Sequence, residues 1–265
     1  MSKISSKFHI LKYVLWLSGV VIAVAFLIFF PSIKNDLVFS QQKKGDAGEY
    51  RHQALAFEEK GDLAQAIQGF RELLESKKND PEALRHLTQL YAQTGQLNQA
   101  LDFAQKLVQA NPKSPEGFFH LGVSYNLLGQ QDKAIENYQK AIKIDPKYAE
   151  AYFNLGFLSE TSGKLAEAVD YYQKAVKANP KHAKAYYNLG NVYAGLARNQ
   201  DAVEAYKQAV AWNPNYTDAF VNLSILLTQA GEYKEAVKYL DEARVLGYEA
   251  PEEYLKTLEP YREGK

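Results

Sequence analysis

The chain divides into a short apolar part and a long amphipathic part. Residues 13–30, YVLWLSGVVIAVAFLIFF, are 18 consecutive positions without a charge. From about residue 47 onwards, apolar residues instead recur at the three- and four-residue spacing of amphipathic helices, with Gly and Pro interrupting them at intervals. The pattern predicts one apolar helix followed by many short amphipathic ones.

The apolar run is predicted to be a single transmembrane helix. Its length corresponds to a rise of roughly 27 Å, close to the hydrocarbon thickness of a bilayer. A cleaved signal peptide is the alternative, with Ala23-Val24-Ala25 as its cleavage site, but the apolar run continues unbroken through Phe30. We therefore predict an N-terminal tail and an uncleaved anchor in residues 1–30, followed by a linker at 31–46.

The orientation of this anchor rests on a weak charge signal. Three lysines precede the run and three follow it before residue 45, so their count does not decide the orientation. Lys12 lies directly against the run, whereas Asp36 lies close to Lys34 on the other side. These positions favour a single-pass membrane protein whose remaining chain lies outside the cytoplasm.

A repeated unit of constant length fills the rest of the chain. The segments that begin at Pro115, Ala149 and Ala183 align without gaps, and the same phase extends to Pro81 and Thr217 and, more weakly, to Ala47. Six units therefore cover 204 of the 265 residues: 47–80, 81–114, 115–148, 149–182, 183–216 and 217–250. Each unit reads as two amphipathic helices.

Several positions of the unit are nearly constant, and each has a packing reason. Position 8 is small in the later units, so that a neighbouring helix can approach closely, and position 20 is Ala in all six units. Position 24 is usually large and fills the space between units. A Gly at position 15 of five units marks the turn between the two helices. Residues 251–265 contain a predicted short closing helix and tail that cover the last edge.

These residues resemble the tetratricopeptide repeat (TPR). The resemblance implies an all-α fold, a right-handed superhelical solenoid of six TPR helix pairs, here preceded by the transmembrane helix and closed by the short C-terminal helix. It also implies a concave groove, lined by the first helices, that binds protein or peptide partners. Proteins of this family are usually not catalytic.

The resemblance places positions 2, 5, 6, 9, 12 and 13 of each first helix in the groove. Exposed aromatic rings and amides there are candidates for contact with a partner, because rings supply apolar area and amides bind a peptide backbone. The predicted partner-binding residues are Phe119, Val123, Phe153, Asn154, Phe157, Tyr187, Asn188, Asn191 and Asn222. A secondary group of groove residues comprises Arg51, Arg85, His86 and His120. Some of the rings could instead lean back into the packing between helices, and the Asn series could be family background.

Other chemistries are disfavoured. The three histidines at position 6 are predicted to lie about 10 Å apart, too far to share a metal ion, so we predict neither a metal site nor a cofactor. The sequence contains none of the common nucleotide-binding or hydrolase motifs, and we predict that the protein is not an enzyme. The 31 basic and 31 acidic residues balance, and residues 47–265 alone carry 25 basic and 29 acidic ones, which argues against nucleic acid as a partner.

The sequence therefore predicts a membrane-anchored scaffold or adaptor that binds a segment of a partner protein in its groove and helps to assemble or localise a membrane or envelope complex. The alternative is a self-assembling scaffold, a homo-oligomer in which another copy of the chain fills the groove.

Overall fold

The computed structural model describes residues 46–262, which form thirteen α-helices. The first helices of the units are α1 (Ala47–Glu59), α3 (Pro81–Gln93), α5 (Pro115–Leu127), α7 (Ala149–Thr161), α9 (Ala183–Gly195) and α11 (Thr217–Gln229). The second helices are α2 (Leu63–Ser76), α4 (Leu97–Ala110), α6 (Gln131–Ile144), α8 (Leu165–Ala178), α10 (Asn199–Trp212) and α12 (Tyr233–Val245). The chain continues into α13 (Glu252–Leu258) and a 3-10 turn at Glu259–Tyr261. Every first helix begins at position 1 of its unit and every second helix at position 17, so all units are built in the same register.

The helix ends follow from capping and turn residues. Asp80 caps α3 by accepting a hydrogen bond from the Ala83 backbone N–H at 3.0 Å, and a proline opens that helix. Between the two helices of a unit, the chain takes a left-handed conformation at the recurring Gly, for example Gly163 at φ 74°. The fifth unit has Ala197 at this place with φ 57°, a conformation that strains a residue with a Cβ.

The two helices of a unit pack through a glycine and a tyrosine. A Cβ added to Gly156 would lie 2.7 Å from the Tyr172 ring, and one added to Gly190 would lie 2.6 Å from the Tyr206 ring. The small residue at position 8 therefore accommodates the large residue at position 24 of the same unit, rather than a helix of a neighbouring unit. Position 20 is fully buried in all six units, so only Ala fits there: Ala66, Ala100, Ala134, Ala168, Ala202 and Ala236.

Successive units stack into an all-helical solenoid. Each second helix packs against the first helix of the next unit, and two pairs of neighbouring first helices, α3 with α5 and α7 with α9, also touch directly. No two second helices among the described residues make comparably extensive contact. Because the first helices are closer together, they form the inner layer of the curved array.

The closing helix α13 covers the edge of the sixth unit. Leu258 is fully buried against the last unit, beside Leu227 and Leu240. The Tyr254 hydroxyl lies 2.7 Å from Ser224 Oγ and 3.0 Å from Thr228 Oγ1, so it satisfies polar groups that a further unit would otherwise cover. The predicted closing helix is thus present in the structure.

The predicted membrane location needs correction. No helix within residues 46–262 is long and apolar enough to cross a membrane. The unit helices have 13 or 14 residues, about two thirds of the length needed to span a bilayer, and their polar faces are exposed. This finding contradicts the prediction of a single-pass membrane protein with an extracytoplasmic array. The predicted span at 13–30 lies outside the described residues.

Candidate protein-interaction surface

The candidate site is the first-helix surface, which we define as the side chains at positions 2, 5, 6, 9 and 12 of the six first helices. Spacings of three and four residues place positions 2, 5, 9 and 12 on one side of an α-helix. Where neighbouring first helices touch, as α3 with α5 and α7 with α9, these sides lie next to each other.

The aromatic residues at position 5 lie partly in the packing. Each is half-buried, and its ring lies 5.7 or 5.8 Å from the ring of the tyrosine at position 24 of its own unit. A second aromatic ring, from the residue just before the next first helix, flanks it. The sets are Phe119 with Tyr138 and Tyr148, Phe153 with Tyr172 and His182, and Tyr187 with Tyr206 and Tyr216. These rings therefore stabilise each unit and offer only part of their surface to a partner.

Position 9 provides the exposed apolar side chains. Phe157 is 43% exposed, Ile225 38% and Leu55 37%, whereas Val123 is half-buried against the core. An exposed phenylalanine in the middle of a folded array is unusual, because burying such a ring stabilises a protein by about 2 kcal/mol. Phe157 is thus the residue of the predicted set with the most apolar surface available for binding.

The asparagines fall into two groups. Asn188 Nδ2 donates to the Tyr172 hydroxyl at 3.1 Å, and Asn222 Nδ2 lies 3.3 Å from the Tyr206 hydroxyl. The Tyr206 hydroxyl in turn donates to Asn191 Oδ1 at 2.6 Å. Asn188 and Asn222 therefore link neighbouring units, and Asn191 is bonded to the tyrosine of its own unit, which reduces the capacity of all three amides to bind a partner.

Asn154 occupies the same repeat position as Asn188 and is half-buried. Within residues 46–262 no hydrogen bond ties its amide to another side chain. Asn154 is therefore the member of the series whose donors and acceptor remain available to a peptide backbone.

The predicted histidines are buried rather than presented to a partner. His86 stacks on Phe70 with ring centroids 4.6 Å apart, and its Nδ1 lies 2.7 Å from Glu58 Oε2. Burial and the neighbouring Arg85 guanidinium lower the pKa of His86. Burial, and after it Arg85, also lower the pKa of His120 to about 4, so that ring is neutral at physiological pH.

The predicted arginines form ion pairs between units. Arg51 Nε lies 3.1 Å from Glu82, and Arg51 Nη2 lies 2.8 Å from Asp80. Arg85 Nε lies 3.3 Å from Glu116. In both units the arginine at position 5 meets the carboxylate at position 2 of the next unit. The two arginines thereby neutralise the first part of the surface.

Three carboxylates of the later units were not among the predicted site residues. Glu150 and Asp218 occupy position 2, and Glu160 occupies position 12. None of the three forms an ion pair with a Lys or Arg in the described part of the chain. For Glu150 and Asp218 the reason is that position 5 of the preceding unit is an aromatic residue instead of arginine. The signal in the sequence was the spacing from position 5 to the next position 2, which relates Glu150 to Phe119 and Asp218 to Tyr187.

Glu160 is held in place by the packing residues. Its Oε2 accepts a hydrogen bond from the Tyr172 hydroxyl at 2.6 Å, the same hydroxyl that accepts from Asn188. Burial, followed by this bond to Glu160, raises the pKa of Tyr172, so the phenol remains a donor at any physiological pH. The carboxylate is therefore fixed at the surface, three positions along α7 from Phe157.

The described residues show no metal-binding arrangement. Within 46–262, no three His, Asp or Glu side chains are grouped so that they could hold an ion.

Comparison with known proteins agrees with this architecture. Models of the tetratricopeptide repeat match residues 58–118, 124–160, 158–211 and 195–254. The chain belongs to the tetratricopeptide repeat family. Proteins built from these repeats are generally non-enzymatic scaffolds for protein–protein interaction.

Solved structures of similar fold include several TPR proteins. A crystal structure of MamA is 29% identical to this chain, with a TM-score of 0.53. The match covers 60% of this chain and 94% of the MamA chain. The pilF protein of Pseudomonas aeruginosa is 23% identical, with a TM-score of 0.60. The match covers 70% of this chain and 90% of the pilF chain. A thermophilic TPR protein of Thermus thermophilus, TTC0263, is 21% identical, with a TM-score of 0.57. The match covers 69% of this chain and 99% of TTC0263. No match was found among curated proteins.

Proposed function

We propose that the protein is an adaptor that holds a segment of a partner protein along the first-helix surface, centred on units three to five. The observation that carries this proposal is the exposed ring of Phe157, flanked by the half-buried aromatic residues Phe119, Phe153 and Tyr187. Exposed apolar area of this kind marks binding sites in folded proteins. Asn154 adds an amide that can bind the backbone of the same segment.

The alternative, a self-assembling scaffold in which a terminal segment of one copy fills the groove of the next, has less support. The C-terminal helix packs on its own last unit, with Leu258 fully buried and the Tyr254 hydroxyl 2.7 Å from Ser224 Oγ, so it would have to leave these contacts to enter another groove. A second copy could also bind in the groove, and sedimentation of the full chain over a range of concentrations distinguishes this occupant from a different protein.

Site-specific photo-crosslinking in cells tests the adaptor proposal. A photoreactive phenylalanine at position 157 should form an adduct with a partner, and one at position 212 should not. Trp212 is the matched control because it is 44% exposed, nearly the same as Phe157, but lies at the end of the second helix α10. Equal adduct formation at the two positions would contradict the proposal.

A further inference from the structure

The first-helix surface changes character after the second unit. In units one and two, position 5 is an arginine that neutralises the carboxylate at position 2 of the following unit. From unit three onwards, position 5 is aromatic or aliphatic. As a result neither Glu150 nor Asp218 has an arginine at position 5 of the preceding unit, where Phe119 and Tyr187 stand instead.

One exception shows what this geometry accommodates. Lys184 occupies position 2 of the fifth unit, and its Nζ lies 5.4 Å from the centroid of the Phe153 ring. An aromatic ring at position 5 of one unit can therefore hold a cation from position 2 of the next unit over its face. The equivalent positions one unit earlier hold Phe119 and Glu150. Among residues 46–262, no Lys or Arg lies over the Phe119 ring or forms an ion pair with Glu150.

Glu160 adds a carboxylate on the same helix as Glu150, and unlike the exposed Glu150 it is fixed by a hydrogen bond. It is positioned by the Tyr172 hydroxyl at 2.6 Å, and the most exposed ring of the site, Phe157, is on the same side of α7. A cation bound here gains from the carboxylate and from the neighbouring rings, while an apolar side chain covers Phe157.

We propose, building on the adaptor function, that the bound partner segment is basic and apolar, with Arg or Lys side chains directed to Glu150 and Glu160 and an apolar side chain packed on Phe157. Charge complementarity selects this occupant over an acidic one, because the central carboxylates have no cationic partner among the described residues whereas those of the first units do. An acidic segment would instead place like charges side by side, at a cost in affinity.

Labelled peptides of roughly 12 residues test the proposal, since an extended peptide of that length covers about 40 Å, or some four units at helix-packing distances. The probes are an alternating Leu/Arg peptide and its Leu/Glu counterpart, and fluorescence anisotropy measures their binding to the full-length chain. The Leu/Arg peptide should bind at least about tenfold more tightly, with a preference that declines as salt is added.

Isosteric variants show which carboxylates cause the preference for the Leu/Arg peptide. Glu150→Gln and Glu160→Gln should each weaken binding of the Leu/Arg peptide about three- to tenfold. Gln at 160 can still accept from Tyr172, so the fold keeps its contact. The matched control is Glu167→Gln, which makes the same charge change on an exposed residue of the second helix α8 and should leave affinity unchanged.

The outcomes separate this inference from the adaptor proposal. Equal affinity for the two peptides, with both weakened by Phe157→Ala, would overturn the charge preference and leave the groove as the binding site. Binding that neither Phe157→Ala nor the two glutamine variants reduce would overturn both proposals, as would an absence of measurable binding to either peptide.

Discussion

A single methyl group tests the packing between the two helices of a unit. In Gly190→Ala, the new Cβ would lie 2.6, 2.7 and 3.0 Å from three ring atoms of Tyr206. Carbon atoms in contact are normally about 3.5–4.0 Å apart, so the ring would have to move by about 1 Å. It has little room to do so, because Tyr206 is 2% exposed and its hydroxyl is bound to Asn191 at 2.6 Å.

The sign of the change depends on two opposing effects. Replacing Gly by Ala within a helix favours folding by about 1 kcal/mol through backbone entropy. Overpacking a buried site costs about 1–3 kcal/mol, and three close contacts against an immobile ring place this site towards the upper end. We expect Gly190→Ala to reduce the free energy of unfolding by about 1–2 kcal/mol after the helix gain is included.

Denaturant unfolding followed by circular dichroism measures the change, and the same helix provides the control. Gly195→Ala introduces the same methyl group where no atom lies within 4 Å, so it should be neutral or stabilising by up to about 1 kcal/mol. A Gly190→Ala variant as stable as the wild type would refute the packing argument.

A double-mutant cycle checks the physical cause. The sixth unit already combines Ser224 at position 8 with Leu240 at position 24, without a tyrosine ring. Tyr206→Leu should therefore make Gly190→Ala tolerable, with a coupling energy of at least about 1 kcal/mol between the two changes. Strict additivity would show that the methyl group acts through something other than the ring.

Three further predictions concern a turn, a buried histidine and the closing helix. Ala197→Gly should stabilise the chain by about 0.5–1 kcal/mol, since it relieves a left-handed alanine at φ 57°; thermal unfolding measures this. The folded pKa of His120, about 4, lies below its ordinary value of 6.5, so the unfolded chain takes up the proton first; the stability contribution is complete above pH 6.5 and is lost as the pH falls towards 4, by up to about 3 kcal/mol. His120→Asn, the residue found at this position in later units, should flatten that pH profile in denaturant titrations, with His52→Asn at an exposed position as the control for the substitution itself. Leu258→Ala should cost about 2–4 kcal/mol because the side chain is fully buried, and hydrogen exchange should show the loss first in α11 and α12.

The repeat made the fold predictable from the sequence. Constant residues such as Ala168 at position 20 and Gly163 at the turn recur at one spacing, and each has a local reason for being there. The first helix of every unit begins at the first position of that unit, Ala47 and Pro81 among them. The partner of the small residue at position 8 was less predictable, because either a neighbouring helix or a ring of the same unit could fill the space.

The site was harder to predict, since its properties depend on pairs of residues from different units. Arg51 and Glu82 belong to different units, and only the stacking of those units shows that they neutralise each other. For the same reason, the sequence did not show that Asn188 binds a tyrosine hydroxyl while Asn154 does not. Exposure of Phe157 likewise depends on how far its neighbours reach across the surface.

The pairing of position 5 with position 2 of the next unit makes the charge of the surface adjustable one unit at a time. Phe119→Arg would recreate beside Glu150 the spacing that Arg51 has with Glu82, and should remove one cation-binding place without disturbing the others. The change needs no alteration of helix register, because both helices of every unit begin at the same repeat positions. Binding specificity in such an array can change through single substitutions. Each substitution affects only one contact between neighbouring units, and the fold stays the same.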